Sequence, residues 1–257
     1  MTSLSAVIIT FNEERNIERC IRSLGKVADD IVVLDSFSQD KTQTICEQLT
    51  AEFPVRFFQK EWINYSVNKN HLNKLAKYDY LLSIDADEAL DEQLEKEILQ
   101  RKQGGLSGAY RVNRLTNYCG KWIKHSGWYP DIKTRIFSRK DAEWAGEYVH
   151  ETLEFKKSVT EQLLPGHLLH YSYYSGEDHR SRADRYSALT AKKMHAKGKK
   201  ASLLKPYLSA LARFVSMYIF KLGILDGVMG FRIARISAAS NIFKYKELRR
   251  LNKTGNI

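Results

Sequence analysis

Three short apolar segments, each running into a polar turn, constrain the fold of this chain most strongly. They are Ser5–Thr10, Asp30–Asp35 and Tyr80–Ile84, and each reads as a strand buried on both faces of a parallel sheet. Apolar residues at helical spacing follow from Ile17 to Leu24, and Thr42–Leu49 is a second predicted helix. Alternating strands and helices predict an α/β fold with a mostly parallel, Rossmann-like central sheet flanked by helices.

The rest of the chain divides into a mixed-strand region and a helical extension. From Gly108 to Glu154 short alternating segments predict antiparallel or mixed strands that finish the sheet. Beyond about residue 178 only helical spacing remains. We therefore predict an α/β domain over residues 1–177 and a basic, amphipathic helical extension over 178–257. Further predicted elements are a short strand at Val55–Phe58 and helices at 66–77 and Leu90–Arg101.

Composition narrows the class of protein. The 257 residues are 43% hydrophobic and 28% charged, which excludes a disordered, collagen-like or coiled-coil chain. Cys20, Cys46 and Cys119 are an odd number without paired spacing, so neither a disulfide framework nor a zinc site is predicted. The opening MTSLSAVIITFNEE lacks the basic and apolar regions of a signal peptide. We expect a folded cytosolic protein.

The net charge of +11 is concentrated at one end of the chain. Residues 192–257 contain 15 Lys and Arg against two acidic residues, whereas residues 1–191 contain 26 basic and 28 acidic residues. This asymmetry favours a polyanionic partner, either an anionic membrane surface or a nucleic acid. The alternative is a basic tail that is merely well solvated.

The basic segment also carries an apolar stripe. Its spacing predicts one helical face, which Lys205, Arg213 and Lys221 interrupt, so a transmembrane helix is not expected. We predict instead that residues 200–250 dock the protein peripherally on the inner face of the cytoplasmic membrane. The stripe consists of Tyr207, Leu208, Leu211, Phe214, Val215, Tyr218, Ile219 and Leu222.

The strongest chemical signal is the pair Asp85 and Asp87, directly after the apolar strand YLLSI. Ligands of α/β sheets bind at the carboxyl ends of the strands, where this pair is predicted to lie. Mg²⁺ prefers oxygen ligands and usually bridges one or two carboxylates to substrate phosphates. The pair therefore predicts a divalent-metal site, with a chance surface pair as the alternative.

Polar residues also follow the first two strands. The first strand leads into Thr10, Asn12 and Glu13, and the second leads into Asp35 and the segment SFSQDKT. Neither turn contains the glycine pattern of a dinucleotide fold or a P-loop, so NAD and P-loop chemistry are not predicted. Carboxylate and amide groups there suit a nucleobase edge and ribose hydroxyls. For Asp40 and Thr42, simple helix capping is the alternative.

Together these junctions resemble a known family. VIITFNEERNIERCIRSL, IVVLDSFSQDKT and YLLSIDADE resemble the family 2 glycosyltransferases, which have the GT-A fold. WYPDIKTRIFSR, AEWAGEYVHE and LDGVMGF are similar to the branch containing lipopolysaccharide inner-core β-glucosyltransferases. The resemblance covers residues 4–155 and, more loosely, 200–248.

The resemblance implies roles for the residues that match the family pattern. The metal, Mg²⁺ or Mn²⁺, would be held on the diphosphate by Asp87, with His150 as a second ligand. The residues implied around the UDP-sugar are Thr10, Asn12 and Glu13 near the uridine, Asp35 on the uracil edge, Lys69 and Asn70 facing the nucleotide, and Asp85 on the ribose.

The resemblance also implies a catalytic carboxylate that removes a proton from the acceptor hydroxyl. Asp131, in WYPDIKTR, is the first choice because it is similar to the acidic residue that precedes an Arg in related enzymes. Glu151, in VHE, is the second. The structural alternatives are a turn former for Asp131 and a solvated strand residue for Glu151.

The implied activity is metal-assisted, inverting transfer of a sugar from a UDP-sugar to an acceptor. By the same resemblance the sugar is glucose, from UDP-glucose, and the acceptor is a lipid-linked oligosaccharide, namely heptose of the lipopolysaccharide inner core. A sugar-phosphate nucleotidyltransferase is the alternative, although TFNEERN lacks the glycine-rich loop of that class. A nucleic-acid-binding module is less favoured, because aromatic residues are not interleaved with the basic ones as stacking platforms. No nucleic-acid partner is expected, and oligomeric state is left open.

Two further groups of residues have open interpretations. Four aromatic residues are either an apolar platform for a sugar or ordinary core. Four histidines lack metal-binding spacing, so structural or surface roles are predicted for them. The aromatic residues are Trp122, Trp128, Tyr129 and Trp144, and the histidines are His125, His167, His170 and His179.

Overall fold

The computed structural model, which describes residues 1–146 and 151–254, contains the strands that the alternating pattern predicts. The strands are β1 (Leu4–Thr10), β2 (Asp30–Asp35), β3 (Val55–Gln59), β4 (Tyr80–Asp85), β5 (Glu88–Leu90), β6 (Ala109–Tyr118), β7 (Lys121–Trp122), β8 (Asp131–Ser138), β9 (Ala142–Ala145), β10 (Thr152–Phe155) and β11 (Glu161–Tyr173).

One sheet carries most of these strands, in the order β3-β2-β1-β4-β8-β6-β11-β5, with β7 added to β6. The pairs β3–β2, β2–β1 and β1–β4 are parallel, and β4–β8, β8–β6 and β11–β5 are antiparallel. Strands β9 and β10 form a separate antiparallel pair. The predicted α/β class is confirmed, with a parallel half extended by antiparallel strands.

Helices α1 to α4 alternate with the strands, and three more helices follow β11. They are α1 (Ile17–Leu24), α2 (Thr42–Leu49), α3 (Tyr65–Leu75), α4 (Glu92–Gly104), α5 (Gly176–Ala196), α6 (Lys205–Val215) and α7 (Gly227–Thr254). The predicted helical C-terminal extension is therefore present.

The predicted helix start at Leu90 is wrong. Leu90 belongs to β5 and pairs with Leu168 of β11. The helix begins after Asp91, whose Oδ1 accepts a hydrogen bond from the backbone N–H of Leu94 at 2.8 Å. An aspartate at this position satisfies a backbone donor of the first turn, and this N-cap ends the strand and starts the helix.

The central strands are buried because they are covered on both faces. All six residues of β2 are buried, and β1 is buried except for Ile9. One apolar cluster includes Ile8, Ile31 and Ile84, and a second includes residues such as Val32. The parallel half of the sheet is thus a rigid support for the turns at its carboxyl edge.

The described residues form two compact units. The first unit comprises Met1–Arg114 and Asp131–Tyr171, and the second comprises Leu115–Pro130 and Ser172–Ile257. The second unit thus includes 115–130, a segment that the predicted domains assign to the α/β part. The predicted boundary after residue 177 itself stays a prediction.

In the second unit the apolar stripe does not form one continuous α-helical face. Helix α6 ends at Val215, a π-helical turn covers Ser216–Phe220, and Leu222 has a left-handed φ of 53°. A 3₁₀ turn, Gly223–Asp226, then leads into α7. The sequence pattern does not reveal this break, because the residues on both sides of it are apolar.

Across the described part of the chain, no single helix is long and apolar enough to cross a membrane. The two helical segments Lys205–Phe220 and Gly223–Lys253 meet the criteria of length and composition only as a pair, and they are bent by 73°.

Candidate functional site

The carboxyl ends of β1, β2 and β4 bring the predicted donor-binding residues to one edge of the sheet. Strand β1 lies between the other two, so that Thr10 pairs with Asp35 and Ile9 pairs with Asp85 in the ladder. Neighbouring parallel strands end together at this edge, which is where α/β sheets bind ligands. The predicted clustering of these turns is therefore present.

The turns after β1 and β2 are joined to each other. The backbone N–H of Asn12 donates to Ser38 Oγ at 2.8 Å, and the N–H of Gln39 donates to Asn12 Oδ1 at 2.8 Å. Asn12 has a left-handed φ of 54°, a conformation that Asn tolerates better than most residues. Its side chain thus fixes the second turn while the residue itself stays exposed.

Asp35 is fully buried and organises the second turn. Its carboxylate accepts hydrogen bonds from the backbone N–H of Ser38 at 2.9 Å, from the Ser38 hydroxyl, and from Gln59 Nε2 at 3.1 Å. A carboxylate offers about four acceptor positions, and these three bonds use most of them.

Glu13 and Thr42 connect the first turn to α2. The backbone N–H of Glu13 donates to Thr42 Oγ1 at 2.8 Å, and Glu13 Oε2 accepts from Asn16 Nδ2 at 2.7 Å. Asp40 Oδ1 accepts from the Thr42 backbone N–H at 2.9 Å, but the N-cap residue of α2 is Lys41, which makes no side-chain cap hydrogen bond.

Asp85 lies between two cations. Its Oδ1 is 3.3 Å from Lys69 Nζ, and its Oδ2 accepts from Arg135 Nη2 at 3.0 Å. Burial alone raises the pKa of Asp85, but the charges of Lys69 and Arg135 outweigh burial and lower it well below its ordinary value. Lys69 Nζ is also 3.3 Å from Glu151 Oε1. Three predicted residues, Lys69, Asp85 and Glu151, thus meet in one cluster.

Several buried polar atoms at this edge make no hydrogen bond to any described residue. Thr10 Oγ1 and Arg135 Nε are two of them, and Asp85 Oδ1 has only its ion pair with Lys69. Buried polar groups in folded proteins are nearly always hydrogen bonded. These atoms are therefore the groups that a polar ligand at this edge would satisfy.

The side-chain amide of Asn70 bonds to the backbone of strand β9. Its Nδ2 donates to the backbone carbonyl of Trp144 at 2.7 Å, and its Oδ1 accepts from the backbone N–H of Trp144 at 2.9 Å. The amide of Asn70 thus holds strand β9 against α3. Trp144 also lies beneath Lys69, with the ammonium 4.6 Å from a ring centroid of the indole.

His170 is a site residue that the sequence does not indicate. Its Nε2 lies 3.2 Å from Asp87 Oδ2, and the two side chains are 14% and 19% exposed. Strand β11 brings His170 there, because it pairs with β5 in the register His170 to Glu88, next to Asp87. The sequence predicts only a structural or surface role for His170 and does not indicate its contact with Asp87. His150, the predicted metal ligand, lies outside the described residues.

The Asp87–His170 pair fits a divalent metal. Its two side chains, 3.2 Å apart, present one carboxylate and one imidazole, both of them donor groups that bind divalent metals in proteins. A carboxylate with an imidazole suits Mn²⁺ or a similar transition metal at least as well as Mg²⁺. Within residues 1–146 and 151–254 no group of three His, Cys, Asp or Glu side chains could hold a metal ion. The pair alone would leave positions for substrate oxygens.

Asp131 begins β8 and is surrounded by donors. Its Oδ2 is 2.7 Å from Arg114 Nη2, its Oδ1 is 3.1 Å from Lys133 Nζ, and its backbone N–H donates to Asn113 Oδ1 at 3.1 Å. Burial raises the pKa of Asp131, but Arg114 and Lys133 together lower it below its ordinary value. The carboxylate therefore stays ionised at neutral pH.

The predicted aromatic group is divided between the two units. Trp144 belongs to the first unit and packs edge-on against Phe137 at 6.1 Å. Trp128 belongs to the second, where it packs with Tyr118, Tyr173 and His179. Burial lowers the pKa of His179 to about 4, so this imidazole is neutral at physiological pH. The packing contacts of Trp128 and Trp144 agree with the interpretation that these two residues belong to the core.

Comparisons with known proteins agree with this architecture. The family profile described as Glycosyl transferase family 2 matches residues 5–164. An uncharacterized glycosyltransferase of Rickettsia bellii is 31% identical over 97% of this chain and 87% of its own length. The lipopolysaccharide core biosynthesis glycosyltransferase LpsC of Rhizobium meliloti is 28% identical over 89% of this chain and 85% of its own.

Solved structures give the same fold. The crystal structure of S. aureus TarS 1-349 in complex with UDP matches with a TM-score of 0.50 at 16% identity, over 99% of this chain and 92% of that chain. The predicted GT-A fold is thereby confirmed. With the family profile matching well over half of the sequence, the chain belongs to glycosyl transferase family 2 and is a glycosyltransferase.

Proposed function

We propose that this enzyme transfers glucose, with inversion, from UDP-glucose to heptose in the inner core of lipopolysaccharide, assisted by a divalent metal. The observation that carries the proposal is the edge of the sheet where Asp85, held by Lys69 and Arg135, stands two residues before the Asp87–His170 pair. The R. meliloti relative, named for lipopolysaccharide core biosynthesis, supports the acceptor class. The S. aureus protein of the same fold binds UDP, which supports the donor class.

In this proposal the nucleotide lies across the ends of β2, β1 and β4. Asp35 accepts a hydrogen bond from the uracil edge, and the turns carrying Thr10, Asn12 and Glu13 enclose the uridine. Asp85 accepts from a ribose hydroxyl. Lys69, nearly buried at 3% exposure, holds Asp85 in place. The amide of Asn70 holds β9, and its place facing the nucleotide stays a prediction.

Asp87 and His170 would hold the divalent metal, Mn²⁺ or Mg²⁺, and His150 stays a proposed additional ligand. When bound, the metal offsets the negative charge of the departing diphosphate.

The reaction breaks the bond between the anomeric carbon and the diphosphate oxygen and forms a bond from that carbon to the acceptor oxygen. The acceptor hydroxyl loses its proton to a carboxylate, for which Asp131 is the first choice and Glu151 the second. Attack from the face opposite the diphosphate inverts the anomeric configuration. Membership of the glycosyltransferase family leaves the nucleotidyltransferase alternative without support.

A donor screen tests this function. Purified protein is incubated with a panel of nucleotide sugars and with heptose-terminated lipopolysaccharide, and nucleotide release is measured with and without Mn²⁺. We expect acceptor-dependent release of UDP, fastest with UDP-glucose and dependent on the metal. Absence of acceptor-dependent release with every UDP-sugar would contradict the proposal.

His170 provides a test of metal binding that does not depend on turnover. We expect His170→Gln to weaken Mn²⁺ binding at least about 10–100-fold, a loss that even outer-shell partners of metals produce. Mn²⁺ affinity is measured by paramagnetic resonance in the presence of UDP. The matched control is His167→Gln, because His167 lies on the same strand and pairs with Asp91 at 3.1 Å. If His170→Gln and His167→Gln bind Mn²⁺ with equal affinity, His170 is not a ligand of the metal.

We also propose that the second unit docks on the inner face of the cytoplasmic membrane. Half of the large apolar side chains that are exposed in the described residues lie between Leu203 and Phe231, among them Phe220 at 78% and Val228 at 72%. Contiguous exposed apolar surface marks interaction sites. From Lys192 to Lys246 the only acidic residue is Asp226, which is 3% exposed, so the charge around this surface is positive.

This surface predicts a binding mode that combines charge with burial. We expect the full chain to float with anionic vesicles. Raising the salt concentration should weaken this binding without abolishing it, because salt screens the electrostatic attraction and not the burial of apolar side chains. Leu208→Glu removes an exposed leucine whose burial contributes about 1.5–3 kcal/mol, which weakens binding at least about tenfold. The control is Leu189→Glu, which changes an exposed leucine of α5. Complete loss in moderate salt, or an unchanged Leu208→Glu variant, would contradict apolar docking.

A further inference from the structure

A continuous chain of ion pairs runs through the first unit. Each neighbouring pair of side chains in it lies within 3.3 Å, and positive and negative charges alternate. The chain links the donor-site carboxylate to both candidate catalytic carboxylates. In order, its members are Glu151, Lys69, Asp85, Arg135, Glu88, Arg114, Asp131 and Lys133.

Glu88 is the centre of this chain. Its Oε1 accepts from Arg135 Nη2 at 2.6 Å and from Arg114 Nη1 at 3.3 Å. Its Oε2 accepts from Arg135 Nη2 at 2.8 Å and from the backbone N–H of Asp85 at 3.0 Å. The residue is only 1% exposed. Each of these hydrogen-bond partners of the carboxylate is a donor.

The two arginines come from neighbouring strands and reach different carboxylates. Arg114 of β6 pairs in register with Asp131 of β8 and binds its carboxylate. The register between these strands shifts from Tyr110–Ile136 to Arg111–Thr134, so that Arg135 has no ladder partner. Such bulges redirect side chains near active sites. Here Arg135 reaches both Asp85 and Glu88.

The backbone of Glu88 also lies beside the proposed metal pair. Glu88 follows Asp87 directly, and its ladder partner in β11 is His170. Glu88 thus contacts Arg135, which holds Asp85, and Arg114, which holds Asp131, and its backbone pairs with the strand that carries His170.

We infer that Glu88 is a positioning residue that sets the donor carboxylate Asp85 and the acceptor-side carboxylate Asp131 relative to each other. The inference rests on the proposed roles of these two aspartates. Without the Glu88 charge, the buried guanidinium group of Arg135 and the partly exposed one of Arg114 have two carboxylates as partners instead of three, and both arginines are free to move toward their remaining partners. Displacements of about 1 Å at a reacting group cost about 100-fold in rate.

A purely structural role is the competing interpretation, and Asp30 provides the matched control. Asp30 is also buried, at 3% exposure, and it also accepts from an arginine, Arg56, and from a backbone N–H, that of Lys77. It begins β2, at the end of the strand opposite Asp35. Asp30→Asn therefore perturbs the same kind of buried ion pair away from the site.

The test compares Glu88→Gln, Glu88→Asp and Asp30→Asn in the full chain. Glutamine places an amide NH₂ against donors only, so Glu88→Gln should break the chain, whereas Glu88→Asp keeps the charge with a shorter reach. For each variant we measure thermal unfolding, UDP affinity by calorimetry, and kcat and KM for donor and acceptor.

We expect Glu88→Gln to lower kcat about 100-fold and to weaken UDP binding, Glu88→Asp to be intermediate, and Asp30→Asn to keep both kcat and UDP affinity. If Glu88→Gln loses only stability, as Asp30→Asn does, the inference is overturned. Should Glu88→Gln not fold, full kcat in Glu88→Asp overturns it and reduced kcat at unchanged stability supports it. Should wild type transfer no sugar, the proposed function fails, while UDP affinity still separates Glu88→Gln from Asp30→Asn.

Discussion

Replacing Asp87 with asparagine is expected to lower turnover by about 100-fold or more, since a metal that stabilises a leaving group contributes several kcal/mol. The amide keeps the size of the side chain but removes the charge that faces His170 Nε2 at 3.2 Å. We expect the fold to survive, because the backbone carbonyl of Asp87 still accepts from the N–H of Tyr171 at 2.8 Å. Turnover is measured at saturating UDP-glucose and Mn²⁺.

Asp79→Asn is the matched control. Asp79 directly precedes the amino end of β4, is 43% exposed in its side chain and pairs with Arg139 and Lys140. It therefore tests the loss of a carboxylate that flanks the same strand at its other end. Near-normal turnover in a folded Asp87→Asn protein, or equal losses in both variants, would contradict the assignment of Asp87.

The second large effect is expected at the catalytic carboxylate. Loss of a positioned general base removes about 10²–10⁴-fold of rate. We expect Asp131→Asn to lose turnover in this range while UDP affinity is retained, since the base contacts the acceptor. Glu151→Gln is the paired variant, because Glu151 meets Lys69 and so lies in the cluster that holds Asp85.

The pH dependence follows from the ion pairs of Asp131. Arg114 and Lys133 hold the pKa of Asp131 below its ordinary value of about 4, so its basic form persists as pH falls. We therefore expect the acid limb of kcat/KM to lie below about pH 4 if Asp131 is the base. An acid limb well above that value would contradict Asp131 as the base, and loss of turnover confined to Glu151→Gln would make Glu151 the base.

Local patterns predict the parallel half of the fold well. Strands β1, β2 and β4 are buried on both faces, so their apolar runs are continuous and easily read. The polar turns that follow them meet because parallel strands end at the same edge. The sequence therefore predicts that Asp85 and Asp87 lie at this edge. The same argument predicts the positions of Thr10, Asn12, Glu13 and Asp35.

Non-local pairing explains what the sequence misses. His170 reaches Asp87 only because the thirteen-residue strand β11 pairs with the three-residue strand β5. The spacing of residues that are close in sequence does not indicate that contact. The same holds for Glu88, whose arginine partners come from two later strands, one through a bulge.

Side-chain direction decides what each of two adjacent residues contacts, and the sequence does not give it. Asn70 follows Lys69 on α3, yet its amide holds the backbone of Trp144 while Lys69 contacts Asp85. Adjacent helical residues point about 100° apart, so a motif containing both does not place both at one ligand. In the second unit, the left-handed Leu222 breaks a stripe whose apolar spacing continues across it.

The most direct test of the central claim is the anomeric configuration of the product. UDP-glucose and heptose-terminated acceptor are incubated with the enzyme and Mn²⁺, and the newly linked sugar is examined by proton NMR. We predict a β-linked glucose, formed in equal amount to the released UDP and absent with Asp87→Asn. An α-linked product, or a product formed equally well by Asp87→Asn, would contradict inverting transfer at this edge of the sheet.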